Sequence, residues 1–336
     1  MRVTQCLCLT VALSLALLDA APAKKVRRGA QRTRVAEKPL DLAAVNNPAW
    51  TTNPSLAMVL RAQILLARAH FSPGEIDGQT GANLTRALSG FQSARKIEGA
   101  GELNGKLNEA TWTALNEGAT AVLIPYTLTP EDVSGPFLPI PEDMLEQAKL
   151  PTLGYASLEE KLGEKFHISP ELLRKMNPEA KLTEGEAIQV PDIGAVLEGV
   201  KADRVVVTKA GVLTAFDKDG NVIAQYPASS GSEHDPLPLG IWKVNGIARN
   251  PPFSYNPDLF WDAKPEHTKA RIPPGPNNPV GVVWIDLTKE HYGIHGTPVP
   301  ASVGHSQSHG CIRLTNWDVQ ELSAIVSRNT PVICEE

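Results

Sequence analysis

The spacing of hydrophobic residues predicts helices in the first half of this chain. Between residues 56 and 65 apolar side chains recur every three or four positions, which predicts an amphipathic helix with a cap at Asn53 and a proline in its first turn. Two stretches with the same period follow, one over residues 84–91 and one that opens at Asn108. We therefore expect a three-helix domain over residues 51–119.

The middle of the chain is less regular. Residues 120–150 contain five prolines, too closely spaced for a long helix or a central strand, and are interpreted as a connector. In residues 151–193, Ser157 and Glu160 form a capping-box pattern for a short helix, a second helix follows, and a strand closes the segment at residues 187–191. This pattern predicts a small α+β unit.

The period changes again in residues 202–335, which are predicted to form a mostly β domain. Short runs of β-branched and aromatic residues are bounded there by glycine, proline and asparagine. These runs are residues 205–207, 212–216, 222–226, 241–244, 280–285, 312–314 and 332–333. The predicted architecture is thus multidomain, with helices first and strands last.

The N-terminal residues 1–23 have the pattern of a secretory signal peptide. Arg2 precedes an apolar run over residues 7–18, and small residues follow at 20–23. The run is too short to span a bilayer comfortably, so we expect an exported protein without a membrane span after cleavage; an uncleaved anchor is the alternative. Residues 24–50 open with a basic run and are interpreted as a solvated linker, with loose attraction to anionic polymers or lipid headgroups as the alternative.

Composition and charge exclude some classes of partner and fold. The 336 residues have a formal net charge of -5 and are 42% hydrophobic, which fits two or three globular domains and gives no overall attraction to nucleic acid. Signal cleavage would remove Cys6 and Cys8 and leave Cys311 and Cys334, too few for a disulfide scaffold. Cys334 is interpreted as a small buried residue of a terminal strand, and a regulatory bond between the two remaining thiols is the alternative.

Cys311 is the candidate nucleophile. A thiol attacks a carbonyl as its thiolate, and an unperturbed cysteine with a pKa of about 8.5 supplies little thiolate at neutral pH, so it needs a base. His295 lies in a strand-like stretch upstream, and His309 lies two positions before the cysteine. Because Gly310 indicates a sharp turn that points the Cys311 amide into the site, we assign the base role to His295 and keep His309 as the alternative base.

Ser308 and Arg313 flank the candidate nucleophile. We interpret Arg313 as a brace for the loop, with orientation of a substrate carboxylate as the alternative, and Ser308 as an orienting or capping residue. No second nearby cysteine and no HExxH helix supports a zinc site, so we predict neither a metal nor a cofactor. The residues that would form the alternative zinc site are His295, His305, His309 and Cys311.

The sequence Ser-His-Gly-Cys-Ile-Arg-Leu at residues 308–314, with His295 and Gly296 upstream, resembles the signature of the L,D-transpeptidase (YkuD-like) catalytic domain. Further matching segments are residues 227–231, 238–242 and 330–333. The resemblance covers essentially all of residues 202–335. A departure is the long stretch at residues 250–278, rich in proline and aromatic residues, at a position where the family has a flap over the substrate.

The resemblance implies a mechanism for the predicted site. Cys311 would attack the carbonyl of the L-centre residue in a peptidoglycan stem tetrapeptide, expel the terminal D-alanine and form a thioester. His295 would take the thiol proton. The backbone N–H groups of Gly310 and Cys311, together with His309, would hold the oxyanion.

The same resemblance implies substrate contacts at Tyr292 and Gly296 and acylation by carbapenems. It leaves the acyl acceptor open. The amine of a neighbouring stem peptide gives cross-linking, water gives a carboxypeptidase, and the amine of an anchored protein gives a protein-to-wall ligase. A noncatalytic peptidoglycan-binding protein and a zinc amidase are the alternatives from other classes.

Two N-terminal segments resemble wall-binding modules. Residues 51–119 resemble the peptidoglycan-binding domain of cell-wall hydrolases through residues 60–63, 71–78, 87–92 and 111–115. Residues 151–193 resemble a small sugar-binding LysM module, with Ala156-Ser157 in place of the usual glycine-aspartate turn; an interdomain packing unit is the alternative. These resemblances imply peptidoglycan glycan and stem peptides as partners, and the periplasm or cell wall of a bacterium as the location.

Overall fold

A computed structural model gives the fold of residues 40–97 and 105–336. The predicted signal peptide at residues 1–23 and the basic run of the predicted linker lie outside the described residues. Within the described part of the chain, no helix has the length and apolar character needed to cross a membrane.

The three predicted helices are present and are preceded by a short fourth one. These helices are α1 (Leu42–Asn46), α2 (Leu56–Arg68), α3 (Ala82–Arg95) and α4 (Glu109–Asn116). Helix α2 is capped by Ser55, whose hydroxyl accepts a hydrogen bond from the Met58 amide, so the predicted cap at Asn53 is wrong by two residues. Helix α1 lies inside the predicted linker, residues 24–50, and buries Val45 in the helical core.

A two-stranded sheet and four helices follow. They are β1 (Leu123–Thr127), α5 (Pro130–Val133), α6 (Met144–Gln147), α7 (Leu158–Phe166), α8 (Pro170–Met176) and β2 (Ala187–Pro191). Strand β2 confirms the predicted strand, but its antiparallel partner β1 lies in the predicted connector, residues 120–150. Pro125 is accommodated opposite Gln189 because both strands of this sheet are edges.

The helical domain, which contains α1 to α4, shares one hydrophobic core with the segment from β1 to β2 (residues 123–191), here called the β1–β2 segment. Leu60 of α2 belongs to the same buried cluster as Leu173 of α8 and Ile188 of β2. Backbone hydrogen bonds join the two segments as well, since the Ile76 amide donates to the His167 carbonyl at 2.8 Å. The two predicted wall-binding modules therefore pack as one body, because each buries its apolar face against the other.

The C-terminal residues form the predicted β domain. Its strands are β3 (Arg204–Thr208), β4 (Val212–Phe216), β5 (Val222–Pro227), β6 (Gly240–Arg249), β7 (Phe253–Tyr255), β8 (Ala270–Ile272), β9 (Val283–Leu287), β10 (Gly293–His295), β11 (Ile312–Arg313) and β12 (Pro331–Glu335). Eight of them pair in the order β11-β10-β9-β6-β12-β3-β4-β5, with parallel pairing only at β10–β11 and β12–β3. Helix α9 (Asn316–Ile325) covers the sheet and buries Val319 and Leu322 in its core.

The stretch at residues 250–278 folds around the β7–β8 ribbon. Tyr255 and Ile272 are buried with Leu153 in a small hydrophobic cluster of their own. The Leu153 amide donates to the Pro274 carbonyl, and the Asn277 amide donates to the Leu153 carbonyl, both at 3.0 Å. The segment that follows β8 is thereby fixed to Leu153, in the stretch that precedes α7.

A buried carboxyl group joins α9 to the helical domain. The Ser72 hydroxyl donates to Asp318 Oδ2 at 3.0 Å, and Asp318 is 4% exposed. Burial raises the pKa of Asp318 to about 8, although hydrogen bonds from Thr315 and Ser72 oppose the shift. The carboxyl group is therefore mostly protonated at neutral pH.

We expect Asp318→Asn to change how stability depends on pH. The pKa of Asp318 in the folded protein, about 8, lies above its ordinary value of 3.8. Its contribution to the free energy of unfolding is therefore complete below pH 3.8 and is lost as the pH rises toward 8. Asparagine does not titrate, so the melting temperature of the variant minus that of the wild type should rise between pH 5 and pH 8. Thermal denaturation would contradict this prediction if the difference stayed constant across that range.

Candidate active site

Cys311 directly precedes β11, the strand that pairs with the strand carrying His295. Strands β10 and β11 are parallel neighbours in which Ile294 lies opposite Ile312, and both isoleucines are 1% exposed in the core. Because side chains alternate along a strand, His295 and its partner Arg313 lie on the other face. Cys311 directly precedes β11, and its Sγ lies 3.7 Å from the carbonyl oxygen of His291, two residues before β10 begins.

The His295 ring is held in one tautomer and is neutral at neutral pH. Its Nδ1 is 2.7 Å from the Gly296 carbonyl oxygen, so Nδ1 donates and Nε2 keeps its lone pair. The ring stacks on Trp284 with centroids 5.4 Å apart, and the residue is 4% exposed. Burial lowers the pKa of His295 to about 4; the charge of Arg313 adds to this shift and the Gly296 hydrogen bond opposes it. A neutral imidazole with an unprotonated nitrogen is what a general base requires.

The thiol of Cys311 is neutral in the resting structure. Burial raises its pKa, and Asp235 adds to the increase, while the Gly293 backbone and Arg313 oppose it. The thiol donates a long hydrogen bond to the His291 carbonyl oxygen, with 3.7 Å between Sγ and O. The Cys311 thiol therefore faces a backbone acceptor and would have to lose its proton to act as a nucleophile.

The turn before Cys311 is fixed by close packing and by one hydroxyl. Gly310 has φ +98°, and a Cβ atom there would lie 2.8 Å from the Tyr292 ring, so only glycine fits. Ser308 donates to the Cys311 carbonyl oxygen at 2.6 Å and accepts from the Gly231 amide at 2.8 Å. These contacts set the direction of the Gly310 and Cys311 peptide groups, which are predicted to bind the oxyanion.

His309 packs against the 250–278 stretch. Its Nε2 lies 2.9 Å from Asp262 Oδ1, and its ring contacts Phe260 edge-on and Trp261 at a tilt. Trp261 also stacks on His234, with ring centroids 4.6 Å apart. Among the described residues Nδ1 of His309 is buried without a hydrogen-bond partner. The stretch therefore contacts the loop that holds the nucleophile.

The remaining predicted residues lie around the same strands. The Arg313 guanidinium donates to the Gln307 carbonyl at 3.3 Å, and its backbone amide donates to the Ser229 carbonyl at 2.8 Å. The Tyr292 ring, which packs on the turn before the nucleophile, also contacts Lys289 Nζ at 4.6 Å from the ring centroid. Gly296 directly follows His295, and its carbonyl oxygen accepts the hydrogen bond from the His295 ring.

The second cysteine lies far from the site. Cys334 is 2% exposed in β12, and three strands separate β12 from β11, a distance of roughly 19 Å at the usual strand spacing. Both Cys334 and Cys311 are free thiols, so the disulfide considered from the sequence is not formed here. In residues 40–97 and 105–336, no three His, Cys, Asp or Glu side chains are grouped as metal ligands would be.

Comparison with known proteins defines the class of both domains. The family described as "L,D-transpeptidase catalytic domain" matches residues 202–334, and the family described as "Putative peptidoglycan binding domain" matches residues 55–115. The protein named "Putative L,D-transpeptidase YkuD" from Bacillus subtilis is 31% identical over 169 residues, which are 50% of this chain and 87% of that protein. This chain belongs to the L,D-transpeptidase family.

Two further similarities extend over smaller shares of each chain. "Putative L,D-transpeptidase YqjB" from Bacillus subtilis is 32% identical over 135 residues, covering 38% of this chain and 69% of that protein. A solved structure of an L,D-transpeptidase from Mycobacterium smegmatis has a TM-score of 0.33 and 22% identity over 45% of this chain and 64% of that one. The family matches confirm the predicted catalytic and peptidoglycan-binding domains, and the LysM-like interpretation stays a prediction.

Proposed function

We propose that Cys311 is the nucleophile of this L,D-transpeptidase and that His295 is its general base. The observation that supports the proposal is a neutral thiol directly before β11 and a neutral imidazole on the neighbouring strand β10. A neutral pair can transfer a proton during attack, so the enzyme need not store a buried thiolate. Rotation about the Cα–Cβ bond of Cys311 would release Sγ from the His291 carbonyl and turn it toward His295 Nε2.

In the first half-reaction, Sγ of Cys311 attacks the carbonyl carbon of the L-centre residue in a stem tetrapeptide while His295 Nε2 accepts the thiol proton. The negative oxygen of the tetrahedral intermediate accepts hydrogen bonds from the Gly310 and Cys311 amides. The His295 imidazolium then donates its proton to the nitrogen of the departing D-alanine. The carbon–nitrogen bond breaks, and the acyl group remains on sulfur as a thioester.

In the second half-reaction, the amine of a neighbouring stem peptide attacks the thioester. His295 takes a proton from this amine and returns it to the Cys311 sulfur as the carbon–sulfur bond breaks, so the enzyme regains its neutral thiol and neutral imidazole. The product is a cross-link in peptidoglycan. The same thiol would open the β-lactam ring of a carbapenem and form a stable acyl-enzyme.

The N-terminal part is proposed to hold the enzyme against the wall. The peptidoglycan-binding domain packs in one core with the β1–β2 segment, for which we propose a LysM-like role in glycan binding. The signal-peptide pattern of residues 1–23 supports export to the periplasm or cell wall. This arrangement would keep the catalytic domain close to the stem peptides.

The experiment that tests the reaction is incubation of the purified protein with disaccharide-tetrapeptides, followed by mass spectrometry of the products. We expect a cross-linked dimer that has lost one D-alanine. Tripeptide monomers alone would identify water as the acceptor and a carboxypeptidase instead. The absence of any product, together with the absence of a covalent adduct with a carbapenem, would favour a noncatalytic peptidoglycan-binding protein.

We further propose that the 250–278 stretch acts as a flap that selects the substrate through Asp262 and His309. Because Asp262 occupies Nε2 of His309, only Nδ1 is left for the orienting role predicted for this histidine. The exposed Trp261 lies beside the same contact and offers an aromatic surface to a peptide or sugar.

Asp262→Ala should weaken substrate binding more than it slows chemistry. Loss of one partly exposed hydrogen bond, which contributes about 1 kcal/mol, corresponds to roughly a 5-fold rise in KM for the tetrapeptide, with a smaller change in kcat. Steady-state kinetics would be compared with those of Asp258→Ala, which removes an exposed carboxylate of the same stretch that pairs with Lys269. An equal rise in KM for both variants would contradict a specific role for Asp262.

A further inference from the structure

The side chain of Asn316, the first residue of α9, joins this helix to α7 and to the loop that precedes β9. Its Oδ1 accepts a hydrogen bond from the Val282 amide at 3.2 Å. Its Nδ2 donates to the Pro276 carbonyl at 3.1 Å and to Glu164 Oε1 at 2.7 Å. The residue is 1% exposed, so these bonds are protected from competing water. The orientation of the amide is thereby fixed from both of its ends.

The same amide supports the peptide that orients the base. A Cβ atom on Gly296 would lie 2.2 Å from Asn316 Oδ1, so the Gly296 backbone lies directly against that oxygen. The Gly296 carbonyl accepts the Nδ1 proton of His295. Displacement of Asn316 would leave this carbonyl free to move and would loosen both the tautomer and the ring position of His295.

Glu164 supports Asn316 from outside the catalytic domain. It belongs to α7, whereas the catalytic domain begins at residue 202. Its carboxyl group is partly buried, and burial raises its pKa to about 8, with hydrogen bonds from Asn316 and Tyr155 opposing the shift. A mostly neutral carboxyl group at this position orients Asn316 without placing a full negative charge behind the base.

We propose that Asn316 and Glu164 form a positioning pair that holds the Gly296 carbonyl, and through it His295, in the geometry needed for proton transfer. The β1–β2 segment, which packs with the peptidoglycan-binding domain, would thereby contribute to the catalytic geometry. The proposal rests on the proposed function in one respect, the assignment of His295 as the base. Neither residue contacts the reacting atoms, and both act through the Gly296 peptide.

The test compares Glu164→Leu and Asn316→Asp with the wild type. Asn316→Asp keeps an acceptor for Val282 but removes the donor to Glu164, and it serves as a second variant should Glu164→Leu fold poorly. We expect the carbapenem acylation rate to fall by about 10-fold to 100-fold at unchanged affinity, the loss seen when the hydrogen-bonding partner that orients a metal-binding histidine is removed. Glu164→Gln keeps a neutral acceptor and should restore the wild-type rate.

Two further measurements separate positioning from simple stability. Glu160→Leu is the matched control, because Glu160 is also on α7 and accepts a hydrogen bond from Asn277 at 2.6 Å without contacting Asn316. The ring nitrogens of His295, observed by 15N NMR, should report a single Nδ1–H tautomer in the wild type and in Glu160→Leu. In Glu164→Leu and Asn316→Asp they should report a mixture of tautomers.

Equal losses of melting temperature and acylation rate in Glu164→Leu and Glu160→Leu, with an unchanged His295 tautomer, would overturn the positioning pair. That outcome would leave the proposed function intact if His295→Ala still slowed acylation. Conversely, if His295→Ala acylated normally, the base assignment would fail, while the tautomer measurement would still decide whether Asn316 and Glu164 hold the ring.

Discussion

Cys311→Ala is expected to abolish the covalent adduct that the wild type forms with a carbapenem or a stem tetrapeptide. Within residues 40–97 and 105–336 the site holds no other cysteine, because Cys334 is buried in β12, with three strands between β12 and β11. Loss of a catalytic nucleophile lowers turnover by about 10⁶-fold where it has been measured in an enzyme that uses covalent catalysis. Intact-mass spectrometry after incubation with a carbapenem should therefore show only the unmodified variant.

Two controls make this result specific. Cys334→Ala should give the full adduct mass, because that thiol packs in the sheet core and its buried position raises its pKa to about 11. A chelator should leave acylation by the wild type unchanged. Acylation of Cys311→Ala would contradict the assignment of the nucleophile, and loss of activity with the chelator would favour the zinc amidase.

The local elements of this fold follow from the sequence because they depend on short-range periodicity. Helix α2 follows the 3.6-residue spacing of its apolar side chains, and strand β2 follows a short β-branched run. The shared core between the helical domain and the β1–β2 segment does not follow in this way. A periodic pattern identifies which face of an element is apolar, but it does not say which other face will cover it.

The residues of the site also divide into those that a local pattern predicts and those whose contacts are long-range. The roles of Cys311 and His295 were predicted from residue chemistry and a short signature, whereas the contact of His309 with Asp262 spans 47 residues and had no local signal. The proposed positioning role of Asn316 could not be predicted from the sequence for a related reason, because its partners come from α7 and from the loop that precedes β9. Such contacts depend on the assembled fold, where distant segments meet.

Both of these long-range contacts lead to a segment that adjoins Cys311 or His295. The 250–278 stretch contacts the loop that contains Cys311, and the Glu164–Asn316 pair reaches the Gly296 peptide that accepts the His295 hydrogen bond. Both are made by segments that the short signature does not include. In our proposal, the signature thus contains the reacting groups, while the surrounding chain sets their geometry and selects the substrate.

His295→Ala should lower the rate of acylation by about 10²-fold to 10⁴-fold near neutral pH, the usual contribution of a positioned general base. The dependence on pH should also change. In the wild type, the pKa of His295 is lowered to about 4, so the imidazole is neutral from pH 5 upward and acylation should be nearly constant until the thiol itself ionises. Below pH 4 the rate should fall as His295 becomes protonated.

Without the base, only the small fraction of Cys311 that is already thiolate can attack. The pKa of this thiol is raised by burial, so the rate of the variant should increase about tenfold for each pH unit until that pKa is reached. Rapid-mixing measurements of carbapenem acylation between pH 5 and pH 9 would separate the two profiles. A flat profile in His295→Ala at a near wild-type rate would identify another base, and His309→Ala would then show whether it is the second histidine of the loop.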